Sequence, residues 1–141
     1  MTTTIHATPL LNDLSNLLTA ISNPNALLLF ELVASKQELH STNLSRKQFY
    51  SNLHKLKQLN LITSYTPYKL TIYGQIVYHI IDNIKKVMVY SPRLRVIDVL
   101  NNCGLYDYKP SNKHLEPEKL SSIIDALIDD PVVKSLININ I

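Results

Sequence analysis

Residues 45–71, SRKQFYSNLHKLKQLNLITSYTPYKLT, decide how the chain is read. Ser45 followed three residues later by Gln48 has the form of a capping box, in which each side chain satisfies a backbone donor next to the other. A helix therefore starts at Ser45. Phe49, Leu53 and Leu56 recur at four- and three-residue spacing, with Leu59 on the edge of the same stripe, so one face packs inward. Asn60 stands where that helix must stop, and asparagine is the non-glycine residue best suited to a left-handed helix end. Beyond it, LITSY and YKLT are short segments rich in β-branched and aromatic residues, joined across Thr66 and Pro67. They predict a tight β-hairpin.

Upstream, TPLLNDLSNLLTAIS predicts a helix: Thr8 can cap it, Pro9 suits the first helical position, and Leu10, Leu14, Leu17, Leu18 and Ile21 share a face. A second helix opens at Pro24 and carries Leu27, Leu28, Phe30, Leu32 and Val33 nearly all round, the pattern of a buried helix. The polar stretch SKQELHSTN separates it from Ser45 and holds at most a turn or two. Downstream, Ile76, Val77, Ile80, Ile81, Ile84, Val87 and Met88 trace a long amphipathic helix, broken at Ser91 and Pro92. PRLRVIDVLNN makes a further helix, and Pro117 opens another whose face is Leu120, Ile123, Ile124, Leu127 and Ile128. Asp129, Asp130 and Pro131 restart the helical pattern, aspartate being a good cap and proline a good first residue.

Composition narrows the function. The chain has 141 residues, is 45% hydrophobic and carries a formal charge of +3, enough for a packed core and too little charge for a histone-like coating. The charge is unevenly placed: residues 36–69 hold Lys36, Arg46, Lys47, Lys55, Lys57 and Lys69 against Glu38 alone. With only Gly74 and Gly104, phosphate-cradling loops of the nucleotide-binding kinds cannot be built. His6, His40, His54, His79 and His114 lack paired ligand spacing, and the one cysteine, Cys103, has no partner. No nucleophile motif surrounds any serine. The expectation is a protein without catalysis, metal or cofactor. No basic leader or spanning apolar run is evident, which predicts a cytoplasmic chain with no membrane partner.

Helix, polar turn, capped helix and two short strands predict a mainly α fold with a small β-hairpin wing, a winged helix-turn-helix. Residues 1–22 form an N-terminal helix, 23–75 the DNA-binding domain, 72–90 a long dimerisation helix and 92–141 a helical C-terminal region. On the helix over 45–59, the face opposite Phe49, Leu53 and Leu56 carries Lys47, Ser51, His54 and Gln58, flanked by Tyr50 and Lys55. All can donate a hydrogen bond to phosphate, and several can reach base edges. Ser45, Arg46 and Lys47 open the helix, where its dipole disfavours cations but an incoming phosphate would meet free backbone donors as well. Lys69 adds a charge on the hairpin. The plain alternative is a packed helix with solvated lysines.

LLLFELVAS, LSRKQFYSNLHKLKQLNLI and YKLTIYGQIVYH resemble, in order and spacing, the archaeal winged-helix transcription regulators with an ArsR-like fold. The matching positions are Leu44, Ser45, Lys47, Phe49, Tyr50, Leu53, Leu56, Leu61 and Ile62, then Tyr68, Leu70, Thr71, Gly74 and Val77. Asn60 replaces the glycine usual in that pattern, and residues 45–59 lack the cysteines of its metal-sensing members. The resemblance implies a dimeric regulator of double-stranded DNA, and names neither operator nor effector.

For a homodimer, the stripe Val77, Ile80, Ile84 and Val87 has the spacing of an antiparallel helix pair, and the leucine-rich N-terminal helix can share that interface. The rival from another class is a winged-helix protein-interaction subunit of a larger assembly, its basic helix merely solvated and its apolar helices docked on a partner.

Overall fold

A computed structural model describes residues 8–39, 42–102 and 117–140. They form seven helices: α1 (Thr8–Ser22), α2 (Pro24–Ala34), α3 (Arg46–Gln58), α4 (Ile72–Val89), α5 (Ser91–Asn102), α6 (Pro117–Leu127) and α7 (Pro131–Asn140). The mainly α expectation holds. The β-hairpin wing does not: among the described residues there is no strand, and residues 61–71 contribute a single antiparallel bridge between Ile62 and Leu70. The chain is therefore not a winged helix.

The reason lies in where two donors go. Thr63 N–H donates to the Lys69 carbonyl at 2.8 Å, which is one proper rung. The return bond is diverted, because Lys69 N–H donates to the Thr63 side-chain hydroxyl at 3.1 Å instead of a main-chain carbonyl. That hydroxyl in turn donates to the Tyr65 carbonyl at 3.2 Å, and Pro67 has no N–H to offer. A threonine chosen for β-propensity thus competes with the ladder it was expected to extend.

The chain divides into two compact units, Met1–His79 and Ile80–Ile141, with the boundary inside α4. In the first unit, α2 packs against both α1 and α3. Asn23 caps α2 by accepting from Asn25 N–H at 2.9 Å, and α1 and α2 bend by 87° across this break. Among the described residues no single helix is long and apolar enough to cross a membrane. The core comprises Ala26, Leu29, Phe30 and Val33 of α2, Leu53 and Leu56 of α3, Leu61 and Ile62 after it, and Val77 of α4. Phe30 meets Tyr78 edge-on, with ring centroids 6.0 Å apart.

Both α2 and α3 end in a left-handed turn. Lys36 (φ 56°) follows α2, with its N–H on the Val33 carbonyl and Gln37 N–H on the Leu32 carbonyl. Asn60 (φ 58°) follows α3 in the same way: its N–H reaches the Lys57 carbonyl, and Leu61 N–H reaches the Leu56 carbonyl, each at 3.0 Å. This paired pattern is a Schellman motif, and the two positions that customarily carry its hydrophobic contact, Leu56 and Leu61, are both fully buried. The sequence reading of Asn60 is met; the left-handed Lys36 was not anticipated.

Helix α4 then starts against the same residue. Thr71 caps it, accepting from Gly74 N–H at 2.9 Å, while Thr71 N–H donates to the Leu61 carbonyl at 3.1 Å. Gly74 lies so close that a Cβ built on it would stand 1.9 Å from the Leu61 carbonyl oxygen.

In the second unit, Ile97 of α5, Leu120 and Ile124 of α6, Ile128, and Val133 of α7 form the core, with Val87, Tyr90, Leu94, Leu127 and Ile137 packed against it. Asp130 caps α7 as its sequence predicts, accepting from Val132 and Val133 N–H at 2.9 and 3.1 Å. Arg93 donates from Nη1 to the Leu127 carbonyl at 2.9 Å, closing the end of α6, and its guanidinium lies 5.5 Å from the Tyr90 ring centre. Tyr90 Oη donates to Asp129. That bond holds the Asp129 carboxyl below its usual range, and it raises the Tyr90 phenol above the ordinary value because ionising it would lose the bond and face Asp129.

Two outcomes follow. Gly74→Ala forces a methyl into backbone, so it lowers unfolding stability by about 3 kcal/mol or more, measurable by urea denaturation; a stability within error of wild type contradicts this packing. For Asp129, the depressed folded pKa adds a contribution present above the unfolded pKa and lost as pH falls through the folded one. The raised Tyr90 value adds one present below the unfolded tyrosine pKa and lost as pH rises. Tyr90→Phe should move the Asp129 carboxyl pKa back up in an NMR titration, and no movement would remove the bond as its cause.

Candidate nucleic-acid interface

Helix α3 is fixed at both ends before any side chain faces solvent. The capping box is complete: Gln48 N–H donates to Ser45 Oγ at 3.2 Å, and Ser45 N–H donates to Gln48 Oε1 at 3.1 Å. At the other end the Asn60 turn closes it. Leu53 and Leu56 are buried, Phe49 is half-buried, and Phe49 meets Tyr50 edge-on at 5.2 Å. The sequence reading missed Asn52 in this face. It is only 4% exposed and donates from Nδ2 to the Gln48 carbonyl at 2.7 Å, while its Oδ1 is buried without a hydrogen-bond partner.

Ser45, Arg46, Lys47, Tyr50, Ser51, His54, Lys55 and Gln58 are all exposed. At 100° per residue, Lys47, Tyr50, Ser51, His54 and Gln58 fall within one sector, with Arg46 and Lys55 on its two edges. Helix α3 contains four basic residues and no acidic one, and none of the four lies in an ion pair among the described residues. The helix thus presents a row of donors unbroken by a carboxylate.

Lys57 is used differently. It donates from Nζ to Tyr68 Oη at 3.1 Å and stands 4.6 Å from that ring's centre, tying the 63–69 loop to α3. Lys69, expected on the wing, is exposed on this loop, held at its backbone by the two Thr63 bonds. Tyr65 is exposed on the same loop. The sequence signal for this clamp is weak, since a lysine and a tyrosine eleven residues apart meet only after a turn. Thr71 was more legible, because a threonine directly before a helical period is a cap candidate.

The residues expected at a dimer interface separate. Val77 is 7% exposed and belongs to the first unit's core, and Val87 packs on the core of the second. Ile80 and Ile84 are 55% and 52% exposed. Exposed Ile76 and Met88 continue their line at four-residue spacing. On α1, Leu10, Leu11, Leu14 and Leu18 are exposed as well.

Among the described residues, no three His, Cys, Asp or Glu side chains gather where they would hold a metal ion. His6, His40, Cys103 and His114 lie outside the described residues. Compared with known proteins, the chain matches no family model, no curated protein and no solved structure.

The row of donors depends on the first turn of α3 being helical. Ser45→Ala removes one half of the box and should lower stability by about 1 kcal/mol, with faster amide exchange at Gln48. Unchanged exchange there would show that the cap does not hold the turn.

Proposed function

We propose that the chain is a sequence-specific DNA-binding transcriptional regulator whose α3 enters the major groove of duplex DNA. One observation carries the reading: α3 buries Leu53 and Leu56 and turns Lys47, Tyr50, Ser51, His54 and Gln58 outward with no acidic residue among them. Arg46 and Lys47 stand in the first turn, where unpaired backbone N–H groups also point, so one phosphate docked there would meet both. Ser51, His54 and Gln58, further along the same face, have the donors and acceptors that read base edges. Lys55 and Lys69 supply backbone contacts from the flank and from the loop. The motif resemblance to archaeal regulators, whose hairpin wing is absent among the described residues, adds the homodimer, for which Ile80, Ile84 and the α1 leucines are available surface.

The exposed leucines of α1, with Leu10 73% exposed, favour a second reading: an interaction module docked through that helix onto another protein. On that reading α3 is a solvated face.

Fluorescence anisotropy on a random-sequence duplex pool, followed by selection of bound fragments, separates the two. The expected result is binding that weakens with salt and enriches particular sequences. Lys47→Ala combined with His54→Ala should reduce affinity tenfold or more, and the log–log salt slope should become shallower by about 1 for each phosphate no longer neutralised. Both residues are exposed, so the helical circular dichroism should not change. Absence of salt-dependent binding to any duplex, or a double variant that binds like wild type, sinks the DNA reading.

A further inference from the structure

Helix α2 is apolar on more sides than the core uses. Ala26, Leu29, Phe30 and Val33 face inward, but Leu28 is 43% exposed, and Asn25, Leu28 and Leu32 follow one another at three- and four-residue spacing along a different face. This face floors a cleft of about 550 Å3 whose other wall is Thr42, Asn43 and Leu44 with Gln48 of α3. The volume lies within the range of small-molecule sites.

The lining has a definite chemistry. None of the seven described residues that line it is ionisable, so a charged ligand would lose hydration with no counter-charge from these side chains. Leu28, Leu32 and Leu44 offer aliphatic surface for a flat apolar body. Asn25, Asn43 and Gln48 bring three side-chain amides to the same cleft. Gln48 Oε1 already accepts from Ser45 N–H, which fixes the carboxamide and leaves its NH2 to donate. The Asn25 and Asn43 side chains make no hydrogen bond among the described residues. An asparagine or glutamine carboxamide pairs best with a neighbouring donor and acceptor on one planar edge, as it does with adenine.

We propose that this cleft between α2 and α3 is a binding site for a small neutral planar ligand carrying an adjacent hydrogen-bond donor and acceptor, the chemistry shared by free nucleobases and simple carboxamides. The ring lies over Leu28 and Leu32, and its polar edge meets Asn25, Asn43 and the Gln48 NH2. Donation from Gln48 leaves its capping bond to Ser45 intact and polarises it further, so an occupied cleft steadies the start of α3.

The test is a methyl and side-chain amide NMR titration of the full chain with adenosine, uridine and nicotinamide, run without DNA. Its failure is therefore separate from failure of the DNA reading. Saturable shifts at the Leu28, Leu32 and Leu44 methyls and at the Asn25, Asn43 and Gln48 NH2 groups are expected for at least one probe. Response to the nucleosides alone marks a nucleobase site, and response to nicotinamide alone a carboxamide site. Asn43→Ala and Asn25→Ala, which leave the melting temperature near wild type, should each weaken that probe tenfold or more. No saturable shift with any of the three to millimolar concentration, saturation at other residues only, or full affinity in both variants overturns the proposal.

Discussion

The main chain of Leu61 is the point on which the first unit turns. Its N–H completes the end of α3 by reaching the Leu56 carbonyl, and its side chain is wholly buried. Its carbonyl accepts from Thr71 N–H, the residue that caps α4, and Gly74 closes directly over it. The main chain of one residue therefore ends one helix and seats the start of the next, with the 62–70 loop held between. Asn60 makes this possible, because a left-handed residue costs most side chains roughly 1–2 kcal/mol, and asparagine is among the few that adopt it routinely. A glycine at this position would serve the same backbone.

Much of this was legible in the sequence because the signals were local. A capping box, a proline at a first helical position and an asparagine at a helix end each depend on neighbours within four residues, and the helices they delimit are present. The wing was misread because the contest that decided it was between two acceptors for one N–H. Propensity favours threonine in a strand, but the Thr63 hydroxyl took the Lys69 donor that the ladder needed. Position on a helix face was equally legible: the eight expected residues of 45–58 are exposed, as the 100° step requires. Which apolar residues of α4 are spent within the chain was not. Val77 and Ile80 share one periodic stripe, yet one is buried and the other open, because burial depends on what packs alongside.

Magnitudes decide whether α3 tolerates cations in its first turn. Arg46 and Lys47 oppose the helix dipole by about 0.3–1 kcal/mol each, so together they cost at most about 2 kcal/mol. Against this stand the capping box, worth about 1 kcal/mol, and the burial of Leu53 and Leu56, worth about 1.5–3 kcal/mol each. The helix is secured by its buried face and its ends, and the charge at its start is free of a structural duty. Lys57 supplies the contrast within the same helix, since its ammonium is spent on Tyr68 and holds a loop in place. Arg46 and Lys47 have no ion-pair partner among the described residues and stand where the helix itself would prefer an acid. An anion is the partner that both the side chains and the free backbone donors suit.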